Sequence, residues 1–477
     1  MERKFNDQET VRREKLSKLC REMGSPYHIT RLDELLSINE ILNLPEGYNL
    51  PLRCAGRILV VRHTFFVLSE HNTRIQAYID LKGNISETNK EEKEKLYSYF
   101  KEYIDIGDYV YILGTLFRTK TGELTVNVSD LKIVSKALKP LPNKRDGIVD
   151  PELTVRNRVA HIITSPECFN VLEARSKIIQ SLREFLYSKD YLEVETPILH
   201  KIAGGAAAKP FITRHNVLKE DLFLRVAPEL YLKRLIVGGF TKVFEIGKSF
   251  RNEGVDSTHN PEFTSVEIYT AYEDMFSTMQ LCENLLTSLF KKFMSSPPIA
   301  FKRFHIADLI REKYSVNFRE KVPSKEETFE LAKKFSLQIE EEEISVGLVY
   351  EKIFEDLISP ELVEPTFVFG FSSEQSPLAK KDRENPFFSE RFELYVDGQE
   401  LANGFSEQND PSEQERQFRE QLGQKNSTGS IDYDYISSLE YGLPPTGGVG
   451  IGIDRLVMYI LGRKNIKEVI TFPFLKG

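Results

Sequence analysis

The stretch that most constrains the fold runs over residues 241–272 and reads TKVFEIGKSFRNEGVDSTHNPEFTSVEIYTAY. In it, two runs of alternating apolar and polar residues flank a polar connection that contains glycine and proline. Such a pattern predicts two antiparallel strands joined by a long loop. Because successive side chains of a strand point to opposite faces, one face of this pair should be apolar. Its members are Phe244, Ile246, Phe250, Val266 and Ile268.

The opposite face of the pair should carry Glu245, Gly247, Arg251, Phe263, Glu267 and Tyr269. Arginine donates two parallel hydrogen bonds to a phosphate or a carboxylate, and a phenyl ring stacks on a purine. A carboxylate binds an ammonium group. The set suits an enzyme that handles a nucleotide and an ammonium-bearing substrate. From the pattern alone, a solvated sheet face without a role is the alternative, because scattered surface charge is common.

Three segments resemble motifs of the class II aminoacyl-tRNA synthetases, and among these they look most like the lysyl enzymes. FRNEG, HNPEFT and E-x-Y, within 250–269, resemble motif 2. APELYLKRLIVGG at 227–239 and YGLPPTGGVGIGIDRLVM at 441–458 are similar to segments of the same enzymes. The resemblance implies an ATP-dependent ligase that activates L-lysine to lysyl-adenylate. It then transfers lysine to the 3′ end of tRNA(Lys), releasing AMP and diphosphate.

The bulk properties of the chain fit this expectation. A length of 477 residues predicts about two or three domains. The sequence has no apolar run of about 18 residues and no apolar leader at its start, so we expect a cytoplasmic protein without a membrane association. Four scattered cysteines argue against zinc sites and disulfides and fit a reducing compartment. A net charge of −8 means that any surface for nucleic acid must be local.

The predicted fold is α+β with several domains. We expect an N-terminal helical extension over 1–49, an OB-fold anticodon-binding domain over 50–137, a linker over 138–166 and a class II catalytic domain over 167–477. Strand-like runs at 52–61, 64–69, 73–80, 108–117 and 123–134, with a polar helix-prone segment at 87–103, predict a five-stranded OB β-barrel. The catalytic domain should be an antiparallel sheet with flanking helices. Within it, the charged segment over about 274–360 is expected to be a peripheral helical insertion.

Two interaction surfaces follow from these domains. OB barrels bind single-stranded nucleic acid by stacking bases on exposed aromatic rings. Phe65 and Phe66 are adjacent on an alternating strand, so one should face outward; burial of both at a domain interface is the alternative. The resemblance matches Phe65, Gln76 and Glu123 to positions that contact anticodon bases. The helix at 169–187 and the strand at 191–199 resemble motif 1, which implies a homodimer.

The resemblance also implies the site residues for ATP and its metal ion. The ATP site comprises Arg251, Glu253, His259, Asn260, Phe263 and Arg455, of which Arg251 and Arg455 are catalytic. Glu253 and Phe263 should hold adenine, while His259 and Arg455 should meet the β- and γ-phosphates. The Asp397-Gly398 pair predicts a tight hairpin. Across it, Glu393 and Glu400 should hold Mg²⁺; two surface acids without a metal are the alternative from spacing alone.

The lysine site implied by the resemblance comprises Gly205, Glu229, Arg251, Glu267, Tyr269, Asn403, Phe405 and Glu407. Glu407 and Tyr269 are assigned to the ε-ammonium group, and Glu229 and Glu267 to the α-ammonium group. Strict alternation would separate Glu400 from the residues that follow it, so a single pocket requires a β-bulge near Leu401 or Ala402. The alternating glycines of 447-GGVGIG predict a bare strand face on which a flat base or ribose could lie, or against which a helix packs.

Two other functions remain possible at this point. An aspartyl or asparaginyl enzyme shares the same layout, but it would need a cationic pocket, and the acids of the predicted lysine site argue the reverse. A catalytically inactive tRNA-binding paralogue is the second alternative. The presence of Arg251, Glu393, Glu400 and Arg455 argues against it.

Overall fold

The computed structural model describes residues 4–83, 90–142, 150–202, 204–205, 208–298, 300–423 and 431–475. The chain divides into two compact units, residues 1–169 and 170–477. Of the predicted linker over 138–166, residues 143–149 lie outside the described part. The remainder of that segment contains two short helices.

The first unit is built around a closed barrel. Its elements are α1 (Asp7–Met23), α2 (Ile38–Leu42), β1 (Leu52–Arg62), β2 (Phe65–Glu70), β3 (Thr73–Tyr78), α3 (Lys90–Tyr103), β4 (Tyr109–Arg118), β5 (Leu124–Ser135), α4 (Pro151–Arg156) and α5 (Arg158–Thr164). The strand order is β1-β2-β3-β5-β4. The β3–β5 pair is parallel, and the other pairs are antiparallel. The predicted five-stranded OB β-barrel is confirmed.

The N-terminal helices pack on this barrel. Helix α1 begins with a capping box in which the Asn6 side chain accepts from the Glu9 N–H, and the Glu9 side chain accepts from the Asn6 N–H. One turn from the end of α1, Leu19 is buried together with Ile38 and Ile41 of α2 in the apolar core of the barrel. The N-terminal extension therefore contributes to the barrel core.

The second unit contains the remaining elements. These are α6 (Pro166–Tyr187), β6 (Leu192–Glu193), β7 (Leu199–His200), β8 (Ile212–His215), β9 (Glu220–Leu224), α7 (Glu229–Val237), β10 (Lys242–Phe250), β11 (Glu262–Ala271), α8 (Met275–Phe293), β12 (Lys302–His305), α9 (Ile306–Tyr314), α10 (Lys325–Lys334), α11 (Val346–Leu357), β13 (Thr366–Phe369), β14 (Arg391–Val396), β15 (Gln399–Ser406), α12 (Pro411–Leu422), α13 (Tyr433–Leu439), β16 (Thr446–Gly452), α14 (Ile453–Ile460) and α15 (Ile466–Val469).

Two sheets organise this unit. The large sheet has the strand order β12-β13-β14-β15-β16-β11-β10-β6, and a small sheet has the order β7-β9-β8. In the large sheet, the two outermost pairs, β12–β13 and β10–β6, are parallel. The five inner pairs are antiparallel. Together with the barrel, this architecture confirms the predicted α+β multidomain fold.

The predicted strand pair at 241–272 is β10 and β11, and its faces divide as expected. Phe244, Val266 and Ile268 are at most 1% exposed and belong to the main apolar core. The core is closed on that side by helices α6, α8 and α14. The opposite face carries the polar side chains and, around Tyr269, a second apolar cluster that includes Val243 and Ala271.

One expectation about the catalytic domain is wrong. Helix α8 opens the segment 274–360, which was expected to be peripheral, but its apolar residues Met279, Cys282, Leu285 and Phe290 lie in the main core. The expectation rests on the overall charged composition of the segment, which comes mostly from residues after α8. That composition conceals the apolar stripe of α8. Helices α9, α10 and α11 pack around a separate core further along.

Candidate active site

A β-bulge in the β14–β15 hairpin brings the predicted metal and lysine ligands to one face. Leu394 pairs with Ala402 and Tyr395 pairs with Glu400, so Leu401 is the extra residue of the bulge. The bulge predicted near Leu401 or Ala402 is thereby confirmed. Without it, Glu400 would point to the opposite face of the sheet from Asn403.

The polar face of the sheet is arranged in cross-strand rows, because residues directly opposite each other share a face. One row runs Glu393, Asn403, Gly450, Glu267 and Glu245 across five strands. The adjacent row runs Arg391, Phe405, Gly448 and Tyr269 across four strands. Residues predicted from three separate parts of the sequence therefore lie on one continuous floor.

The glycines of β16 make room for acidic side chains. A Cβ atom on Gly448 would lie 2.1 Å from Glu407 Oε1, and one on Gly450 would lie 2.7 Å from Glu267 Oε1. The space over these two glycines is taken by carboxylates. At Gly448 and Gly450 the predicted open face for a flat base or a packed helix is therefore wrong, and a side chain there would force the neighbouring acid to move. A Cβ on Gly452 would meet only Leu401 O, at 3.8 Å, so the strand face is open at that end.

A buried ion cluster lies at one end of the floor. On α7, Glu229 and Lys233 are one helical turn apart, and Lys233 Nζ lies 2.5 Å from Glu229 Oε1. The same Nζ forms an ion pair with Glu407 Oε2. Lys233 and Glu407 are both fully buried. Within the described part of the chain, no hydrogen-bond donor reaches Glu407 Oε1. A buried carboxylate oxygen without a donor is costly, so the cluster is suited to receive a second cation.

The pKa values in this cluster report the same shortage of positive charge. Burial, reinforced by the charge of Glu229, raises the pKa of Glu267 to about 8. Burial also raises the pKa of Glu407 and of Glu229, although Lys233 opposes both shifts. Burial and the neighbouring acids raise the pKa of Tyr269. Each shift disfavours the anion, and a bound ammonium group would reverse it.

Gly205 lies beside this cluster in a backbone conformation that favours glycine. Its φ is +91°, and a Cβ placed on it would lie 3.9 Å from Glu229 Cβ. The backbone at Gly205 therefore approaches the Glu229 side chain closely. Three of its neighbours, residues 203, 206 and 207, lie outside the described part of the chain.

Arg251 and Phe263 lie together at the base of the β10–β11 loop, Arg251 just after β10 and Phe263 as the second residue of β11. The guanidinium carbon of Arg251 is 5.1 Å from the centroid of the Phe263 ring. The Arg251 N–H donates to Pro261 O at 2.9 Å, which closes the loop at its base. The positive charge of Arg251 opposes the raised pKa of Glu267, so the arginine is electrostatically coupled to the acid cluster.

A chain of three charged or polar side chains joins this loop to α14. Arg455 Nη2 donates to His259 Nε2 at 3.0 Å, and His259 Nδ1 donates to Asp256 Oδ2 at 2.9 Å. Because an arginine can only donate, His259 Nε2 is the acceptor in the first contact. Burial raises the pKa of Asp256, but hydrogen bonds from Thr258 and His259 outweigh it and bring that pKa to about 2. Arg455 Nη1 also donates to the Glu400 carbonyl oxygen at 2.6 Å.

Two other residues of the predicted ATP site differ in their surroundings. Glu253 is exposed, and its N–H donates to Arg251 O at 3.0 Å. Asn260 is buried, and its Nδ2 donates to Glu262 O at 2.6 Å while its Oδ1 accepts from the Phe474 N–H at 3.2 Å. The amide of Asn260 is thus committed to the backbone and fixes the loop.

The predicted metal ligands Glu393 and Glu400 are electrostatically coupled. Burial raises the pKa of Glu393 to about 7, with Arg391 opposing the shift and Glu400 adding to it. Tyr395 donates to Glu393 Oε2 at 2.8 Å, and Arg391 donates to Glu393 Oε1. Among the described residues, no group of three or more acidic, histidine or cysteine side chains could hold a metal alone. A cation here would need ligands from the substrate as well.

The barrel carries a partly exposed aromatic strip. Phe66 is 1% exposed and lies in the barrel core, whereas Phe65 faces outward beside Tyr78, with ring centroids 4.5 Å apart. The prediction that one of the two phenylalanines faces outward is confirmed. Gln76 lies two residues from Tyr78 on β3 and, together with Glu123, lines a surface pocket. The three predicted anticodon residues therefore lie on one outer part of the barrel.

Comparison with known proteins identifies the family. A family model described as tRNA synthetases class II (D, K and N) matches residues 150–476, and one described as OB-fold nucleic acid binding domain matches residues 53–134. The lysine–tRNA ligase of Malacoplasma penetrans (strain HF-2) is 43% identical over 497 positions, covering 100% of this chain and 99% of that protein. The chain belongs to the class II lysine–tRNA ligases. The predicted resemblance and the predicted ATP-dependent ligase class are thereby confirmed.

Other lysine–tRNA ligases match this one to a similar degree. That of Ureaplasma urealyticum serovar 10 is 42% identical, with coverage of 100% of this chain and 99% of the relative. That of Thermoanaerobacter pseudethanolicus is 43% identical, with coverage of 99% and 96%. The family model also spans aspartyl and asparaginyl enzymes, so the lysyl relatives decide between these alternatives. None of the helices within the described residues has the length and apolarity needed to cross a membrane.

Two residues of this ligase's site, the buried Lys233 and the half-buried Arg391, were not identified from the sequence. Arg391 donates to Asn403 Oδ1 at 3.1 Å and to Ser376 Oγ at 3.2 Å, so it orients the amide of Asn403. Lys233 pairs with two predicted lysine ligands. The sequence signal for Lys233 was its position four residues after Glu229 within an apolar helix. No local signal pointed to Arg391.

Proposed function

We propose that this chain activates L-lysine with ATP and transfers it to the 3′ end of tRNA(Lys) in the cytoplasm. The observation that carries the proposal is the unpaired Oε1 of the buried Glu407, at one end of a floor whose other end carries Arg251 and Phe263. A cluster with more acids than cations therefore adjoins residues suited to a nucleotide. Anticodon recognition is assigned to the barrel over 50–137 and catalysis to residues 167–477.

Lysine is held at both of its ammonium groups. Glu407 and Tyr269 bind the ε-ammonium group, for which the donor-free Oε1 is the support. Glu229 and Glu267 bind the α-ammonium group, with the backbone of Gly205 alongside. Lysine's remaining groups meet three further residues. The aliphatic chain packs on the Phe405 ring, and the carboxylate accepts from Arg251 and from the Asn403 amide Nδ2.

ATP lies at the other end of the floor. Phe263 stacks on adenine and Glu253 accepts from its amino group, while Arg251 holds the α-phosphate. His259 and Arg455 meet the β- and γ-phosphates, and their contact at 3.0 Å supports a shared role. Asn260, with its amide committed to the backbone, holds the loop that presents His259.

In the first step, a carboxylate oxygen of lysine attacks the α-phosphorus, and the bond to the bridging oxygen breaks to release diphosphate. In the second step, a ribose hydroxyl of the tRNA 3′ end attacks the carbonyl carbon and AMP leaves. Positioning and charge neutralisation dominate such chemistry. Arg251 spans both reactants, so it neutralises the charge that develops between them.

The residues present fit a Mg²⁺ ion that accompanies ATP. Mg²⁺ is commonly held by one or two carboxylates together with substrate phosphates, and Glu393 and Glu400 are the coupled pair of acids on this floor. These two residues would hold the ion, which would supply charge neutralisation at the phosphates. Binding would offset the repulsion between the two carboxylates.

Glu400→Gln should raise the Mg²⁺ concentration needed for half-maximal pyrophosphate exchange by about tenfold or more. Removing one of the two carboxylates weakens the binding of Mg²⁺ without changing the shape of the site. Titration of Mg²⁺ at fixed ATP measures the effect. Glu361→Gln, in an exposed ion pair with Lys313, serves as the matched control. An unchanged Mg²⁺ requirement in Glu400→Gln would contradict the assignment.

Phe65→Ala should raise the KM for tRNA(Lys) by roughly 5- to 100-fold, because a base stacked on an aromatic ring contributes about 1–3 kcal/mol. Lysine-dependent pyrophosphate exchange, which needs no tRNA, should stay at the wild-type rate. Tyr109→Ala removes another exposed ring of the barrel and is the control. Equal tRNA KM values for Phe65→Ala and the wild type would remove Phe65 from the anticodon site.

We also propose a homodimer, supported by apolar side chains exposed on and beside the small sheet. They are Leu192, Ile198, Leu199, Ile212, Val217 and Leu218, each between 46% and 84% exposed. Contiguous exposed apolar surface marks interaction sites. Ile212→Asp should convert a particle of twice the chain mass into a monomer in light scattering. Val363→Asp, at an exposed apolar residue elsewhere, should leave the mass unchanged; a wild-type monomer would refute the dimer.

Aminoacylation tests the proposed function as a whole. Purified chain, ATP, Mg²⁺ and labelled lysine should charge a tRNA(Lys) transcript with a UUU anticodon, and a tRNA(Asp) transcript should stay uncharged. Binding of tRNA(Lys) without charging would instead favour the inactive paralogue. Charging of tRNA(Asp) with aspartate would favour the related aspartyl activity.

A further inference from the structure

Lys233 is a buried cation inside the site that the proposed function does not use. Its Nζ is in ion pairs with Glu229 and Glu407, and it lies 5.5 Å from the centroid of the Phe405 ring. The side chain is fully buried, as is that of Tyr435, whose hydroxyl finds no hydrogen-bond partner among the described residues. Lys233 thus touches two of the three acids that the proposed function gives to lysine's ammonium groups, one for each group.

The charges of the site balance only when Lys233 is counted. With the three acids Glu229, Glu267 and Glu407 ionised, as a bound ammonium group favours, the two cations Lys233 and Arg251 leave one uncompensated negative charge; Arg391 is paired with Glu393. Free lysine carries two ammonium groups and one carboxylate, so its net charge is +1. A bound lysine therefore brings this group of charges to neutrality. Without Lys233, the site would keep a negative charge after lysine had bound.

Lys233 also determines which carboxylate oxygens remain for the substrate. It occupies Oε2 of Glu407 and leaves Oε1 of the same group without a donor. Its contact with Glu229 Oε1 fixes that carboxylate from the same point. Two acids that would otherwise repel each other in a buried site are held at a set separation by one shared ammonium group.

We propose that Lys233 is a positioning and specificity residue, a built-in counter-ion that bridges Glu229 and Glu407 at a set separation and matches the charge of the site to lysine. The inference rests on the proposed function, because it takes lysine as the ligand of these acids. Lys233 does not touch the reacting atoms in this account. It acts through Glu229 and Glu407, two of the carboxylates that bind the ammonium groups.

Lys233→Met, which keeps the length of the side chain and removes its charge, should raise the KM for lysine at least about thirtyfold. The KM for ATP should change less than about threefold, because the nucleotide end of the floor is untouched. Both constants come from lysine-dependent pyrophosphate exchange. Arg234→Met is the matched control, since Arg234 follows Lys233 on α7 and pairs with Asp432 and Asp434 instead. Its lysine KM should equal that of the wild type.

Chemical rescue separates the charge of Lys233 from a structural role. Lys233→Ala should leave a cavity that added n-propylammonium fills, restoring part of the lysine affinity, whereas n-propanol should not. A variant whose KM values for lysine and ATP rise together without rescue would overturn the inference, as would a normal lysine KM in Lys233→Met. If the wild type shows no exchange with lysine, the proposed function itself fails, which distinguishes the two outcomes.

Discussion

Arg251→Ala should lower kcat for lysine-dependent pyrophosphate exchange by about 10²- to 10³-fold, because removal of one preorganised donor to a developing charge has an effect of this size. Arg251 is the cation at the junction of the acid cluster and the nucleotide end, beside Phe263 and coupled to Glu267. Loss of Arg251 should destabilise the transition state more than it destabilises the enzyme's complex with lysine or with ATP. The KM values for lysine and ATP should therefore rise less than kcat falls.

Two companion variants sharpen this test. Arg251→Lys keeps the charge but loses the planar fork of donors, so it should recover only a small part of the rate. Arg311→Ala, at an ion pair with Asp308 on α9, should leave both constants unchanged. A kcat for Arg251→Ala within about threefold of the wild type would remove Arg251 from the reaction.

Glu407→Gln should raise the KM for lysine by about 10²- to 10³-fold while leaving the KM for ATP near the wild-type value. The substitution preserves shape but replaces a fully buried anion with a neutral amide, and truncating one partner of a buried charge pair costs about 2–5 kcal/mol. The change removes the oxygen that lacks a donor and also deprives Lys233 of one of its two partners. Exchange kinetics at varied lysine measure it.

Norleucine provides the complementary test on the substrate side. It has the length of lysine without the ε-ammonium group, so the wild type should discriminate against it by about 10⁴-fold. Glu407→Gln should lose most of that discrimination. Glu413→Gln, in an ion pair with Arg416 outside the floor, is the matched control. A lysine KM within about threefold of the wild type in Glu407→Gln would show that Glu407 does not bind the ε-ammonium group.

The strands, the β-bulge and the barrel could be predicted from the sequence, because each depends on the pattern of neighbouring residues along the chain. Alternation over 241–272 fixed the two faces of β10 and β11, because a strand has a strict period of two. The same period exposed the need for a bulge, which lies at Leu401. Five short strand runs around a helix predicted the barrel. The ligand roles of individual residues came from the family resemblance and remain predictions.

Long-range packing determined what the sequence did not predict. Lys233 and Glu407 meet only because the fold brings α7 to the residue that follows β15, and nothing near either residue in the sequence signals the other. Nothing in the sequence around Arg391 distinguishes it from other strand residues. Its role depends on the pairing of β14 with β15, which places Asn403 opposite Glu393, two residues along the same strand face. The Asn260 side-chain oxygen accepts a hydrogen bond from the Phe474 N–H, which is far along the chain. Such contacts are set by tertiary structure and leave no periodic trace.

The most direct test of the account is ATP–pyrophosphate exchange by the wild-type chain with each of the twenty amino acids in turn. The acid cluster around Glu407 predicts exchange with lysine alone, and its loss in Arg251→Ala. Exchange with aspartate or asparagine would contradict the assignment of the cluster to ammonium groups while leaving the fold intact. Exchange with no amino acid would contradict the catalytic role itself and favour a tRNA-binding protein.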